Sequence, residues 1–295
     1  MSQVKNGKAF EYALVLEISR LTRSKITDNT AAQIAKDYYN SISGDNRKHF
    51  DRAADEASVF LECHDDRFDK SHLITLQSDS KGKDGDVRDI IVSINDRNEI
   101  GISAKHNHQA VKHSRLSDKI DFGKDWCNYP VSNNYWKSVK PIFSDLRQRK
   151  EKSELFKNIP NKDSTIYLPV LSAFEDELRV LCEDFGRNFI KCLFQYLTRR
   201  HDFYKVVCGK KSVNVQSVNI GGTLEWGKRW KIPSRIEQIK RKIESKNTLL
   251  ITFEGGWQLS FRLHSASSRV EPSLKFDIQF VGMSQSVTRH EIPLR

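Results

Sequence analysis

Residues 81–117 read KGKDGDVRDIIVSINDRNEIGISAKHNHQAVKHSRLS, and the expected architecture is built outward from this stretch. It opens in a Gly/Asp/Lys turn and carries two acids, Asp86 and Asp89. The apolar run Ile90-Ile91-Val92 follows, then a polar turn at Asn95-Asp96-Arg97-Asn98. A second run, Glu99-Ile100-Gly101-Ile102-Ser103-Ala104-Lys105, ends at a lysine. β-Branched runs bounded by turn residues read as the two strands of a hairpin. Ser103 and Lys105 are two apart on a strand and so project from one face. Asp86 and Asp89 are three apart and would face opposite ways if both lay in a strand, so one of them is expected in the turn. An acid at the mouth of one strand and a lysine at the end of its partner can face the same spot. That pairing suits metal-dependent phosphodiester hydrolysis, in which carboxylates hold Mg2+ and a lysine orients water or neutralises charge. Asp89, directly before the apolar run, is the first candidate metal ligand, and Asp86 is the second.

The rest of the chain is consistent with a nucleic-acid partner. Lys+Arg total 49 against 38 Asp+Glu, a formal charge of +11 over 295 residues, which favours a polyanion. Hydrophobic residues make up 38%, enough for a folded core and against disorder. No apolar run reaches the ~20 residues that a bilayer span needs. The start, MSQVKNGKAFEYA, has no apolar signal core, so a membrane or secreted protein is not expected. The five cysteines are scattered without a C-x-x-C pair, which points to reduced thiols in a cytoplasm and not to a disulfide frame or a zinc site.

In chain order, residues 7–23 read as a helix with Phe10, Leu14, Ile18 and Leu21 in an apolar stripe and Glu11 beside it. Helices are also expected over 31–43 and 51–63, with a break at Gly44-Asp45-Asn46. A short strand at 73–77 leads into the hairpin. Residues 111–120 are basic and read as the opening of a helix; 121–130 reads as a loop. Residues 135–149 read as a helix with Pro141 near its start. Residues 173–197 form the strongest helical pattern, broken or bent at Gly186. Strands are expected at 205–208, 213–220, 249–253, 257–264 and 274–281, with Glu254-Gly255-Gly256 as a hairpin turn. The fold class is α/β in the mixed α+β sense. A core with the catalytic hairpin is expected over 1–150 and a helical and β-rich recognition region over 151–295, packed with the core as one unit.

The residues also resemble a family. An acid before an apolar strand, then a hairpin ending in Lys, looks like the PD-(D/E)xK nuclease core. More specifically, Gly85-Asp86-Val87-Arg88-Asp89, Ser103-Ala104-Lys105-His106-Asn107-His108 and Lys112-His113-Ser114-Arg115-Leu116-Ser117 resemble the HaeIII-like type II restriction endonucleases. Gly256-Trp257-Gln258-Leu259-Ser260-Phe261-Arg262-Leu263-His264 with Ser273-Leu274-Lys275-Phe276-Asp277 resembles that family's C-terminal signature. The resemblance implies a mixed central sheet flanked by helices, with a C-terminal β-rich region. It implies Mg2+-dependent cleavage of double-stranded DNA at a short palindrome, GGCC, in a bacterial or archaeal cytoplasm. Two positions depart from the generic motif. Arg88 stands where proline often precedes the acid, and Ser103 stands where a second carboxylate is expected. Glu11 matches the position from which many such enzymes supply an extra acid, and Glu99 shares strand parity with Lys105; Glu11 is preferred. The alternatives in view are a DNA-binding protein on a nuclease fold and a repair nuclease of the same superfamily.

The string His106-Asn107-His108 is not read as an HNH nuclease, because that motif spreads its residues over a ββα fold. These three, with Lys112, His113 and Arg115, are candidate DNA contacts or supports beside the cut. Reading of G·C pairs favours Arg or Lys against guanine, for which Arg262, His264, Arg269 and Lys275 are the candidates. The basic stretch 228–242 is expected to hold phosphates. A palindromic target suggests a homodimer.

Overall fold

The computed structural model describes residues 3–78, 86–106, 112–198 and 201–294. In chain order the elements are α1 (Gln3–Thr22), β1 (Lys25–Ile26), α2 (Thr30–Ser41), α3 (Gly44–His64), β2 (Leu73–Leu76), β3 (Ile90–Asn95), β4 (Asn98–His106), β5 (Lys112–Leu116), α4 (Phe122–Cys127), α5 (Asn133–Glu151), α6 (Leu168–Thr198), β6 (Phe203–Cys208), β7 (Ser212–Val218), β8 (Ile236–Arg241), β9 (Thr248–Phe253), β10 (Trp257–Ser265), β11 (Leu274–Gly282) and β12 (Arg289–Pro293). The fold is mixed α+β. No described helix is long and apolar enough to cross a membrane.

Two compact units emerge, and each is discontinuous. The first takes residues 1–109, 199–231 and 286–295; the second takes 110–198 and 232–285. A division at 150 keeps neither together, because β6, β7 and β12 pair with strands from the front of the chain.

The first unit is a seven-stranded mixed sheet in the order β1-β2-β3-β4-β6-β7-β12. The β3–β4 hairpin pairs Ile90 with Ile102, Ile91 with Gly101 and Val92 with Ile100. β4 then runs parallel to β6, with Ser103 opposite Lys205. Alternation assigns the two faces. Ile90, Val92, Ile100, Ile102, Ala104, Tyr204 and Val206 join Phe10, Leu14 and Ile18 of α1 and Phe50, Ala54 and Leu61 of α3 in one core. The apolar stripe of α1 is thereby buried against the sheet, as its spacing predicts. Residues 89, 103, 105 and 205 fall on the opposite parity.

The second unit is a five-stranded antiparallel sheet in the order β5-β11-β10-β9-β8. One face is apolar: Leu249, Ile251, Phe253, Trp257, Leu259, Phe261, Leu263, Leu274, Phe276 and Ile278 are buried. The long helix α6 supplies Phe174, which meets Phe261 and Phe276, and Phe194, which meets Phe253 and Trp257. Gly186 bends α6 with φ of 53°, a left-handed value that glycine adopts at little cost.

Four local expectations are corrected. Residues 112–116 form strand β5, not a helix, because β11 offers a paired edge from far along the chain. α3 begins at Gly44, since the Ser43 hydroxyl accepts from the Asn46 N–H and makes that segment a first turn instead of a break. The loop after residue 120 contains the short helix α4, capped by Asp121. Pro141 lies well inside α5; it and Lys137 are exposed, so water can take the carbonyl that the missing N–H leaves free.

Candidate active site

Asp89 sits one residue before β3 and is already locked into the sheet. Its N–H donates to the Ile102 carbonyl at 2.8 Å, and its own carbonyl accepts from the Gln77 N–H at 2.8 Å. Its side chain gathers three donors on one oxygen, Oδ2: Lys105 Nζ at 2.8 Å, the Ala104 N–H at 2.9 Å and Ser103 Oγ at 3.1 Å. The other oxygen, Oδ1, accepts no hydrogen bond among the described residues. The Asp89 and Lys105 side chains are 18% and 31% exposed, so the pair opens to solvent and can be reached by a substrate. Sequence parity thus brings Asp89, Ser103 and Lys105 together. Ser103 does not stand in for a carboxylate here. It orients the one that is present.

Asp86 is differently engaged. Arg88 clasps it through Nε at 2.8 Å and Nη2 at 2.7 Å, its backbone N–H adds a third bond, and Gln77 Nε2 donates at 3.0 Å. Burial works against the charged form, but these donors outweigh it and hold the carboxyl down at about 2. Arg88 also pairs with Glu99, which ties up the other candidate acid on β4. The guanidinium arm lies over Gly101, where a Cβ would stand 2.2 Å from Arg88 Cδ. Arg88 therefore organises the entrance to β3, and Gly101 leaves room for it.

Glu11 comes from α1. It is 5% exposed and pairs with Lys8 Nζ at 2.9 Å. Its carboxyl is pushed up to about 7, first by burial and second by the negative charge of Asp89, with Lys8 and then Lys105 pulling the other way. Glu11 is therefore within electrostatic reach of the Asp89–Lys105 pair, a placement that its helical spacing alone does not reveal. Among the described residues, no three His, Cys, Asp or Glu side chains converge as a metal cluster. The donor set nonetheless suits a hard cation. Asp89 has a carboxylate oxygen free among the described residues, and its charge raises the cost of ionising Glu11, which an ion between them would relieve.

Sequence reasoning missed Lys205. It neighbours Ser103 on β6, and its amine is pushed down to about 8, first by burial and then by the charge of Lys105. A lysine at the head of the apolar strand Lys205-Val206-Val207-Cys208 was the available signal. His106 turns to the core side of the sheet and meets Phe50 edge-on at 5.1 Å. Its basicity is lowered by burial and then by His49, so it is a packed histidine and not a neighbour of Lys105 on the open face. Asn107 and His108 lie outside the described residues.

In the second unit, cross-strand register gathers candidates that are far apart in sequence. Opposite the apolar face, one row reads His113–Asp277–Arg262 and the next reads Arg115–Lys275–His264, across β5, β11 and β10. Asp277 is 8% exposed. Its Oδ2 accepts from Arg262 Nη2 at 3.0 Å and Gln279 Nε2 at 3.2 Å; His113 Nδ1 stands 3.7 Å from Oδ1, which takes no hydrogen bond among the described residues. Asp277 holds the Arg262 fork in place while leaving the guanidinium exposed. Lys112 is not part of this face. It donates to the Tyr196 carbonyl and lies 3.1 Å from that ring's centre. Arg269 lies on the loop between β10 and β11, bridged to Leu155.

The family model for the HaeIII restriction endonucleases matches residues 7–284. The type II restriction enzyme HaeIII of Haemophilus aegyptius is 33% identical over 308 aligned positions, covering 98% of this chain and 97% of that protein. No solved structure matches the chain.

Proposed function

Because this chain belongs to the HaeIII restriction endonuclease family and is a type II site-specific deoxyribonuclease acting on double-stranded DNA, we propose that it cuts at the palindrome GGCC, with Mg2+, through Asp89, Lys105 and Glu11. The observation that carries this reading is the convergence of Lys105, Ser103 and the Ala104 N–H on one oxygen of Asp89.

Asp89 and Glu11 would hold the ion, with Asp86 committed to Arg88. When bound, Mg2+ supplies an acidified water and charge neutralisation at phosphorus. The remaining work falls to the chain itself. Ser103 and the Ala104 N–H fix the Asp89 carboxylate, so its free oxygen keeps one orientation. Lys105 balances Asp89 in the free protein. With DNA bound, its amine turns to the attacking water or a phosphate oxygen and neutralises the charge that grows there.

Sequence reading is proposed for the polar face of the second sheet. Arg262, preset by Asp277, offers the forked donor that matches guanine O6 and N7. His113, Arg115, His264 and Lys275 surround it. Arg269 and the stretch 228–242 would grip backbone phosphates, which steer without specifying. A two-fold target is read most simply by two copies of the chain. The free thiols suit a cytoplasmic setting.

The test is digestion of plasmid DNA with Mg2+, followed by sequencing of the ends. Discrete fragments with GGCC at every junction are expected. Fragments with another common sequence would overturn the GGCC assignment, and undiminished cutting by Asp89→Asn would overturn the site.

A further inference from the structure

Lys205 lies on the same sheet face as Asp89, Ser103 and Lys105 and has no task in the function proposed. β4 and β6 are parallel neighbours, and Ser103 faces Lys205 directly in their register. Paired residues in adjacent strands lie about 5 Å apart and project to the same side. Lys205 therefore emerges on the face that carries Asp89, Ser103 and Lys105. Lys205 is half-buried, its amine makes no hydrogen bond or ion pair among the described residues, and Lys105 is close enough to repel it.

An unpaired ammonium in such a place is costly, and proteins keep such groups where a ligand completes them. We propose that Lys205 is a substrate-contacting catalytic residue that binds the phosphate to be cut, through a charge-assisted contact to a non-bridging oxygen. The proposal rests on the assignment of Asp89 and Lys105 as the catalytic pair. It also gives a physical meaning to serine at 103. A carboxylate there would sit beside Lys205 and neutralise it; a hydroxyl, already donating to Asp89, leaves the ammonium available for an anion. A site with one acid fewer than the generic motif thus has one uncommitted cation more, and the anion that DNA brings is a phosphodiester. A sulfate or a free phosphate has the same chemistry, so the experiment must separate a contact to the cut phosphate from general anion binding.

The full chain is used with a duplex whose cut position has been mapped. Single-turnover cleavage and thermal unfolding are measured for the parent, Lys205→Met and Lys205→Arg. Lys205→Met is expected to cut roughly 10²–10³-fold more slowly, with an unfolding midpoint equal to or above the parent's, because a buried charge has been replaced by an apolar chain of similar length. Lys205→Arg is expected to recover part of the rate. In Ca2+, without cutting, the parent should favour a duplex with an ordinary phosphate at the cut over one with a neutral methylphosphonate there, and Lys205→Met should not. If the methionine variant does not fold, Lys205→Gln carries the same comparison. A parent that cuts beside a folded Lys205→Met that cuts within threefold of it overturns the proposal, as does an unchanged preference for the charged phosphate. A parent that cuts no duplex overturns the catalytic-pair reading itself, a different failure.

Discussion

Replacing Glu11 by glutamine separates the acid's charge from its shape. In the folded protein the Glu11 carboxyl is raised from 4.5 to about 7, by burial first and by the Asp89 charge second. Between those values the folded state holds a proton that the unfolded state has released, so stability falls as pH rises through that window. The shift corresponds to about 3 kcal/mol, fully present below pH 4.5 and gone above pH 7. Glutamine mimics the protonated form and keeps a contact to Lys8. Glu11→Gln should therefore lie within about 1 kcal/mol of the parent near pH 5 and exceed it by up to about 3 kcal/mol at pH 8. In a chain of this size that is several degrees of unfolding temperature. Added Mg2+ should stabilise the parent at pH 8, because it binds the folded state, and should stabilise the variant much less. Cleavage should fall with it. The assay is thermal unfolding from pH 5 to 8, with and without Mg2+, beside a plasmid digest. Parallel pH profiles for parent and variant would refute the electrostatic argument. Unchanged cleavage and Mg2+ dependence would refute Glu11 as the compensating acid.

Asp89→Asn and Lys105→Met should each slow single-turnover cleavage by roughly 10²–10³-fold or more, and the double variant should be little worse than either, since the two act as one unit; additive losses in the double variant would count against that. Arg262→Ala should erode discrimination by about 1–3 kcal/mol at the base pair it reads, seen as cutting at near-cognate sites, and a uniform loss of affinity would remove it from recognition. Lys231→Ala should weaken binding to all sequences alike and lower the slope of log K against log salt by about 0.9, measured by titration of labelled duplexes. Gly101→Ala should destabilise by about 1–3 kcal/mol through its clash with the Arg88 arm; an unchanged urea midpoint would mean that the arm moves aside freely.

What the sequence determined on its own was local. A period of two placed Ser103 and Lys105 on one face, and the apolar run after residue 89 set the acid beside them, because side-chain direction in a strand depends only on alternation. A period near 3.6 identified α1 and α6 in the same way, and turn residues located the hairpins. Only the tertiary structure decided what depends on register between distant strands. It made 112–116 a strand, because β11 lay ready to pair with it. It set Lys205 beside Ser103, across about a hundred intervening residues, and brought Glu11 within reach of Asp89 by packing α1 on the opposite parity of the same sheet. It lined up His113, Asp277 and Arg262, whose spacing along the chain carries no hint of contact. Such pairings are fixed by which apolar faces must be buried together, and that requirement is met by the whole fold and by no single segment.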